Sequence, residues 1–143
     1  MILSAQQLFS DDQAITASAD STNVIDLGVP GTPYRAAAPL NRDIGKGAKI
    51  PILIQVTEAF NNLTSLEIKI STGATTALGT TILSQTILLA DLVVGKQTSF
   101  VVLPNDITER YLGIEYVVTG TAPSTGQVTA GITMGVQTNT TGA

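Results

Sequence analysis

The chain contains no histidine, no cysteine and no tryptophan, and its 143 residues include only three tyrosines and three phenylalanines. Each absence removes a chemistry. Without an imidazole there is no Ser-His-Asp triad and no histidine general base. Without His or Cys an ordinary zinc site is excluded. The missing thiols exclude disulfides and fit a reducing compartment. Charge is also scarce: Asp, Glu, Lys and Arg make up 13% of the chain, against about 25% in a typical soluble protein. The net charge of −4 opposes nucleic acid, whose affinity comes mainly from phosphate neutralisation. No apolar run approaches the roughly 20 residues that span a bilayer. The opening Met-Ile-Leu-Ser-Ala-Gln-Gln-Leu-Phe has no basic leader, so no signal peptide is expected. The expected partners therefore include neither nucleic acid nor membrane.

Alternating strands fill the space that charge and aromatics leave. In residues 110–137 Leu112, Ile114, Tyr116 and Val118 fall at every second position, and so do Val128, Ala130, Ile132, Met134 and Val136. Successive side chains of a strand point to opposite faces, so each arm has one apolar and one polar face. Gly120, Pro123 and Gly126 interrupt the pattern. The segment reads as two long antiparallel strands, an open-looped hairpin, facing one core. Burying one Ile or Val contributes about 1.5–3 kcal/mol, which makes these positions dominant.

Taken from the start, residues 1–12 read as an N-terminal arm with a short helical turn, residues 13–137 as one β domain and 138–143 as a polar tail. Ser10–Gln13 reads as a turn. A weak strand is expected over 14–19 and a better one over 22–27. Residues 28–49 form the longest irregular segment, interrupted by Pro30, Pro33 and Pro39. It carries Arg35, Arg42, Lys46 and Lys49, four of the seven basic residues, against the single acid Asp43. A loop of that length is commonly functional or disordered. Strong strands are expected over 50–57, with Ile50, Ile52, Ile54 and Val56 on one face, and over 64–71, with Leu66, Ile68 and Ile70 inward. Residues 71–81 read as a loop too polar to pack. Further strands are expected over 82–89, with a bulge, and over 97–103, with Phe100 and Val102. Asp106 and Glu109 have capping-box spacing for one helical turn. Seven or eight short strands with almost no helix leave a two-sheet sandwich, a jelly roll or a closed barrel. Strand count favours the jelly roll: an all-β, single-domain, jelly-roll-like sandwich of about eight antiparallel strands with long loops.

No motif supplies a reaction. Asp11-Asp12, with Asp20 and Asp26 beyond, lacks the spacing of a calcium loop, and Asp is a preferred turn residue. Gly95-Lys96 has Ala90 and Gln97 where a phosphate loop needs Gly and Ser or Thr. Asp106, Glu109 and Glu115 are the nearest approach to a glycosidase carboxylate pair. The expectation is a protein without catalytic residues, cofactor or metal.

The order of several segments points further. Leu3-Ser4-Ala5-Gln6-Gln7-Leu8-Phe9-Ser10-Asp11, Val24-Ile25-Asp26-Leu27-Gly28, Asp43-Ile44-Gly45-Lys46-Gly47, Pro51-Ile52-Leu53-Ile54-Gln55-Val56 and the closing 110–136 run nearly end to end. In that order they resemble the small capsid cement proteins of tailed bacteriophages. The resemblance implies a jelly-roll-like domain that decorates the outside of an icosahedral head. Such a protein is made in the host bacterial cytoplasm and bridges neighbouring major capsid protein subunits, in some cases as a homodimer on two-fold positions. It brings no catalytic or metal residue with it. The basic bias of the 28–49 loop and the amphipathic N-terminus mark Arg35, Arg42, Lys46 and Lys49, with Leu8 and Phe9, as expected shell contacts. The alternative is a receptor- or carbohydrate-binding jelly-roll module of a phage tail, which the poverty of aromatics disfavours.

Overall fold

The computed structural model describes residues 3–39, 49–102, 107 and 109–134. Nine strands appear in chain order: β1 Leu8–Ala14, β2 Ala19–Asp20, β3 Ile25–Asp26, β4 Ile50–Glu58, β5 Leu63–Gly73, β6 Thr80–Leu88, β7 Gln97–Val102, β8 Tyr111–Gly120 and β9 Gln127–Ile132. Single 3-10 turns at Ala5–Gln7 and Leu89–Asp91 are the helical elements among the described residues.

One sheet has the order β1-β9-β4-β7. The other runs β2-β8-β5-β6, with β3 on the same edge of β8 as β2. All pairs are antiparallel. β2 pairs at Tyr116 and Glu115 and β3 at Leu112 and Tyr111, so the two are pieces of one interrupted strand. Counted that way there are eight strands: the first pairs with the eighth, the second with the seventh, the third with the sixth, the fourth with the fifth. That connectivity is a jelly roll.

Periodicity explains the core. β4 turns Ile52, Ile54 and Val56 inward, and its neighbours in register add Val128, Ala130, Thr98 and Phe100. From the facing sheet come Leu66, Ile68 and Ile70 of β5 and Leu112, Ile114 and Tyr116 of β8, all at most 2% exposed. Phe9, Ile15, Phe60, Leu63, Ile87, Leu92, Val102 and Ile107 complete the cluster. Each sheet alone would leave a whole apolar face wet, and at about 25 cal/mol per Å² neither would persist.

Several expectations change. The two arms of residues 110–137 do share a core but are not a hairpin. β8 and β9 lie in opposite sheets, and residues 121–126 cross between them. The Asn61 side chain holds that crossing, accepting the amides of Ser124 at 2.8 Å and Thr125 at 3.2 Å. A Thr125 hydroxyl bond to the Ala59 carbonyl adds to it. β9 ends at Ile132, so Met134 is fully exposed instead of inward, and Val136 lies outside the described residues. The N-terminal arm is shorter than expected: Ser10–Gln13 is part of β1. The two register shifts of β1 and the positive φ of Asp12, 44°, form a bulged stretch, which breaks the alternation and reads as a turn. β5 continues to Gly73, and the 71–81 loop does pack. Ser71 and Thr72 are fully buried, and Leu78 covers Gly113 on the outer side, where an added Cβ would come within 2.6 Å of it. The capping turn cannot be placed because Asp106 is outside the described residues; Glu109 accepts the Thr72 hydroxyl at 2.8 Å. The 138–143 tail also lies outside them.

One polar tie crosses the apolar layer. The Tyr116 hydroxyl of β8 lies 2.8 Å from Ser10 Oγ of β1, and both residues are 1% exposed. Ser10 donates its own proton to Gln13 Oε1 at 2.7 Å, which leaves Tyr116 as the donor between the sheets. Burial pushes the Tyr116 phenol well above its ordinary value of about 10, the Ser10 bond opposing this only in part. A native pKa above the unfolded one means that the stabilising contribution is complete below the unfolded value and is lost as pH rises through and beyond it. Unfolding free energy should therefore hold level up to about pH 10 and decline above it. Tyr116→Phe should flatten that decline while costing about 1 kcal/mol at neutral pH. Urea titrations across the alkaline range check both.

Gly126 tests the crossing. Its φ is +133°, and a Cβ there would fall onto the Phe60 ring. Gly126→Ala should cost about 2–4 kcal/mol from backbone strain and overpacking. Gly31, with nothing within 4 Å of a Cβ, should tolerate alanine within about 0.5 kcal/mol. Thermal and urea unfolding of the two variants give the comparison.

Candidate docking end

Antiparallel registry sends one set of loops to one end of the sandwich. The start of β1, the end of β9, the start of β4 and the end of β7 lie together. So do β3, the start of β8, the end of β5 and the start of β6. The N-terminal turn, residues 27–39, Lys49, the 74–79 loop and the approach to β8 all leave from this end.

The 27–39 loop is rooted by charge. Asp26 accepts Arg110 Nε at 2.7 Å and Nη2 at 2.6 Å, and also the Gly28 amide at 2.7 Å. The Leu27 amide donates to the Arg110 carbonyl at 2.9 Å. The guanidinium also stacks 4.9 Å from the centre of the Tyr111 ring. The hydrogen bond with Asp26 raises the Arg110 pKa, outweighing the opposing effect of desolvation. Bidentate geometry fixes direction as well as charge, so the loop leaves β3 at a set angle.

Its far side presents an anchor. The Ala36 amide donates to the Pro33 carbonyl at 2.9 Å, closing a turn around Tyr34 and Arg35. Arg35 holds a left-handed φ of 67°, uncommon outside glycine. The Tyr34 side chain is 91% exposed, and the Arg35 guanidinium lies 5.4 Å from the centre of its ring. Tyr and Arg carry a disproportionate share of binding energy where they become buried between proteins. A chain with three tyrosines that extends one into solvent therefore draws notice. Its position between Pro33 and Arg35, in a proline-rich loop, was the available sequence signal; charge counting passed over it.

The expected contacts divide. Arg35 and Lys49 are exposed at this end. Leu8 is half-buried, and Leu3 and Leu8 stand over Gly131, each within 3.3 Å of where its Cβ would be. Leu53, beside Gly131 in register, is 1% exposed on that outward face. Phe9 is corrected outright: it is fully buried in the core, where the register shift between Leu8 and Ser10 lets two successive residues bury, and it offers no surface for a partner. Arg42 and Lys46 lie outside the described residues. Among the described residues no group of three or more acidic, His or Cys side chains could hold a metal, and no helix is long and apolar enough to cross a membrane.

Residues 9–133 match the family model Bbp16, and the chain belongs to that family. A search of the curated proteins finds no match.

The root generates a prediction. Asp26→Ala should speed hydrogen exchange at the Leu27 and Gly28 amides while leaving the melting temperature nearly unchanged, because exposed ion pairs contribute little to global stability. Residue-resolved exchange measured beside a thermal scan checks it.

Proposed function

We propose that this protein is a non-catalytic virion component that decorates the outside of an icosahedral phage capsid and cements neighbouring major capsid protein subunits. The observation that carries the reading is the Tyr34–Arg35 pair, held out on a rooted loop at one end of a rigid sandwich. A cementing protein needs shape and area instead of a reaction. Specific interfaces bury about 1,200–2,000 Å² in total, and repeated weak contacts on one shell add through multivalency. The jelly roll supplies a rigid body, and low charge lets it lie close to other proteins without strong mutual repulsion. The segment order that resembles phage cement proteins supports the same reading. Exposed Lys49, and Arg42 and Lys46 in the same stretch of sequence, add a basic bias suited to an acidic partner surface.

The test is binding to shells that lack the protein. Burying a hot-spot pair is worth about 2 kcal/mol or more, so Tyr34→Ala with Arg35→Ala should weaken occupancy at least about 30-fold with an unchanged circular dichroism spectrum. Co-sedimentation of the chain with purified empty capsids measures it. Equal occupancy by wild type and variant removes the anchor. No binding to shells by the wild type, with retention on a glycan array, replaces the reading with a carbohydrate-binding one.

A further inference from the structure

The outer face of the first sheet hides a leucine. Alternation along β4 sends Ile52, Ile54 and Val56 into the core, so Leu53 points the other way, to the outside of the sandwich. The outer face of an antiparallel sheet is commonly wet. Leu53 is nevertheless 1% exposed, although it does not belong to the core cluster. Its register partner on β9 is Gly131, which has no side chain to shield it, and on β7 the partner is Ser99. Leu8 Cδ2 and Leu3 Cδ2 fill the space that Gly131 leaves, 3.1 and 3.3 Å from where its Cβ would lie, beside the Gln7 carbonyl at 3.1 Å. The segment that precedes β1 thus folds back over the sheet.

The hold on that segment is slight. Leu8 is paired with Gly131 in the ladder, but Leu3 lies upstream of it. Between them Ser4, Ala5, Gln6 and Gln7 are exposed. The turn Ala5–Gln7 buries no residue, and Ser4 at its N-cap makes no side-chain cap bond. The Gln7 amide donates to the Ser4 carbonyl at 2.9 Å, a bond internal to the segment. Among the described residues no hydrogen bond ties residues 3–6 to either sheet. The turn Leu89–Asp91 is anchored in another way. The Leu92 amide donates to the Leu89 carbonyl at 3.0 Å, the Leu92 carbonyl accepts the Phe60 amide at 3.1 Å, and the Leu92 side chain is buried in the core. A segment with few buried apolar contacts and an exposed backbone opens at far less cost than global unfolding.

We infer that residues 3–7 are a releasable strap that closes an apolar slot over Leu53 and Gly131 and swings away at the Gln7–Leu8 junction without unfolding the sandwich. The occupant of the slot is Leu3 of the same chain. The missing side chain at position 131 makes the space, and Leu3, half-buried at the head of an otherwise exposed segment, enters it. Leu8 remains in the ladder and acts as the hinge. Residues 3–7 carry no charge, so apolar contact alone sets the closed state. Lifting the strap uncovers a leucine-sized slot on the outer face at the docking end, which the closed chain keeps from any partner: an autoinhibitory contact. The inference goes beyond the decoration reading and does not depend on it, because it concerns the chain alone.

A chain without cysteine offers a direct test, since a single introduced thiol is the only one that reacts with N-ethylmaleimide. Leu53→Cys samples the slot, Ile54→Cys the core, where Ile54 is 2% exposed, and Gly31→Cys the open surface. Leu53→Cys should react at least about 10-fold more slowly than Gly31→Cys and at least about 10-fold faster than Ile54→Cys, because it needs only local opening. Adding Leu3→Gly should speed Leu53→Cys at least about 10-fold and leave Ile54→Cys unchanged. Low urea should leave the slot's rate level, because lifting the strap exposes little surface, and should raise the core's. In the unsubstituted chain the Gln7 amide should likewise exchange hydrogen at a rate that low urea does not change. A slot rate that Leu3→Gly leaves alone, equal acceleration at the core, or exchange at Gln7 that follows global unfolding would overturn the inference. Shell binding enters none of these measurements: their failure leaves decoration standing, and a chain that ignores capsids leaves the strap standing.

Discussion

The contact between the inward faces of the two sheets sets the terms for every other part of the molecule. Ile52, Ile54 and Val56 on one side and Leu66, Ile68 and Ile70 on the other have no second place to go. With few aromatics to fill volume, the layer relies on β-branched and leucine side chains, which pack on a pleated surface but carry no polar handle. Direction must then come from elsewhere. The Tyr116–Ser10–Gln13 chain supplies part of it, joining β8 to β1 and, through Gln13, to the Asp20 carbonyl and the Thr22 amide. A buried hydrogen-bond chain of this kind penalises a slipped register, because any shift orphans its members.

Loop residues such as Ile15, Phe60 and Leu92 join the apolar core, but the two ends of the sandwich use their loops differently. The end opposite the docking loops does the structural work: Asn61, Thr125, Gly126 and Phe60 pin the crossing from β8 to β9. The docking end instead spends its polar interactions on direction, with Asp26 and Arg110 setting how residues 27–39 depart.

Alternation made the strands legible. The inward sets of β4, β5, β7 and β8 follow directly from period-two spacing, and the number of strands favoured the jelly roll among the two-layer β folds. Pairing was not legible in the same way. The sequence of β8, loop and β9 is equally compatible with a hairpin and with a crossing between sheets, because periodicity records which face is buried but not which strand lies alongside. Bulges hid β1: Asp11 and Asp12 in succession look like a turn when the register shift that accommodates them is unseen. At the candidate site, counting basic residues selected Arg35 and Lys49, which are exposed, while the amphipathic N-terminus put forward Phe9, whose neighbours Leu8 and Ser10 gave no sign of which face it would take. Tyr34 was passed over because the reading of that loop weighed its charges alone, although Pro33 beside it marked a turn that would hold the ring out.

Low charge has a consequence beyond solubility. A sandwich has four edges to protect, and with few charged residues the chain cannot guard all of them. The described acids are not spread evenly: each of β1, β2 and β3 carries at least one, while β6 and β7 carry none. The same economy of charge that removes most chemistry from the chain thus leaves the β6 and β7 edges without a charged residue, while the loops of residues 27–39 and 74–79 gather at one end.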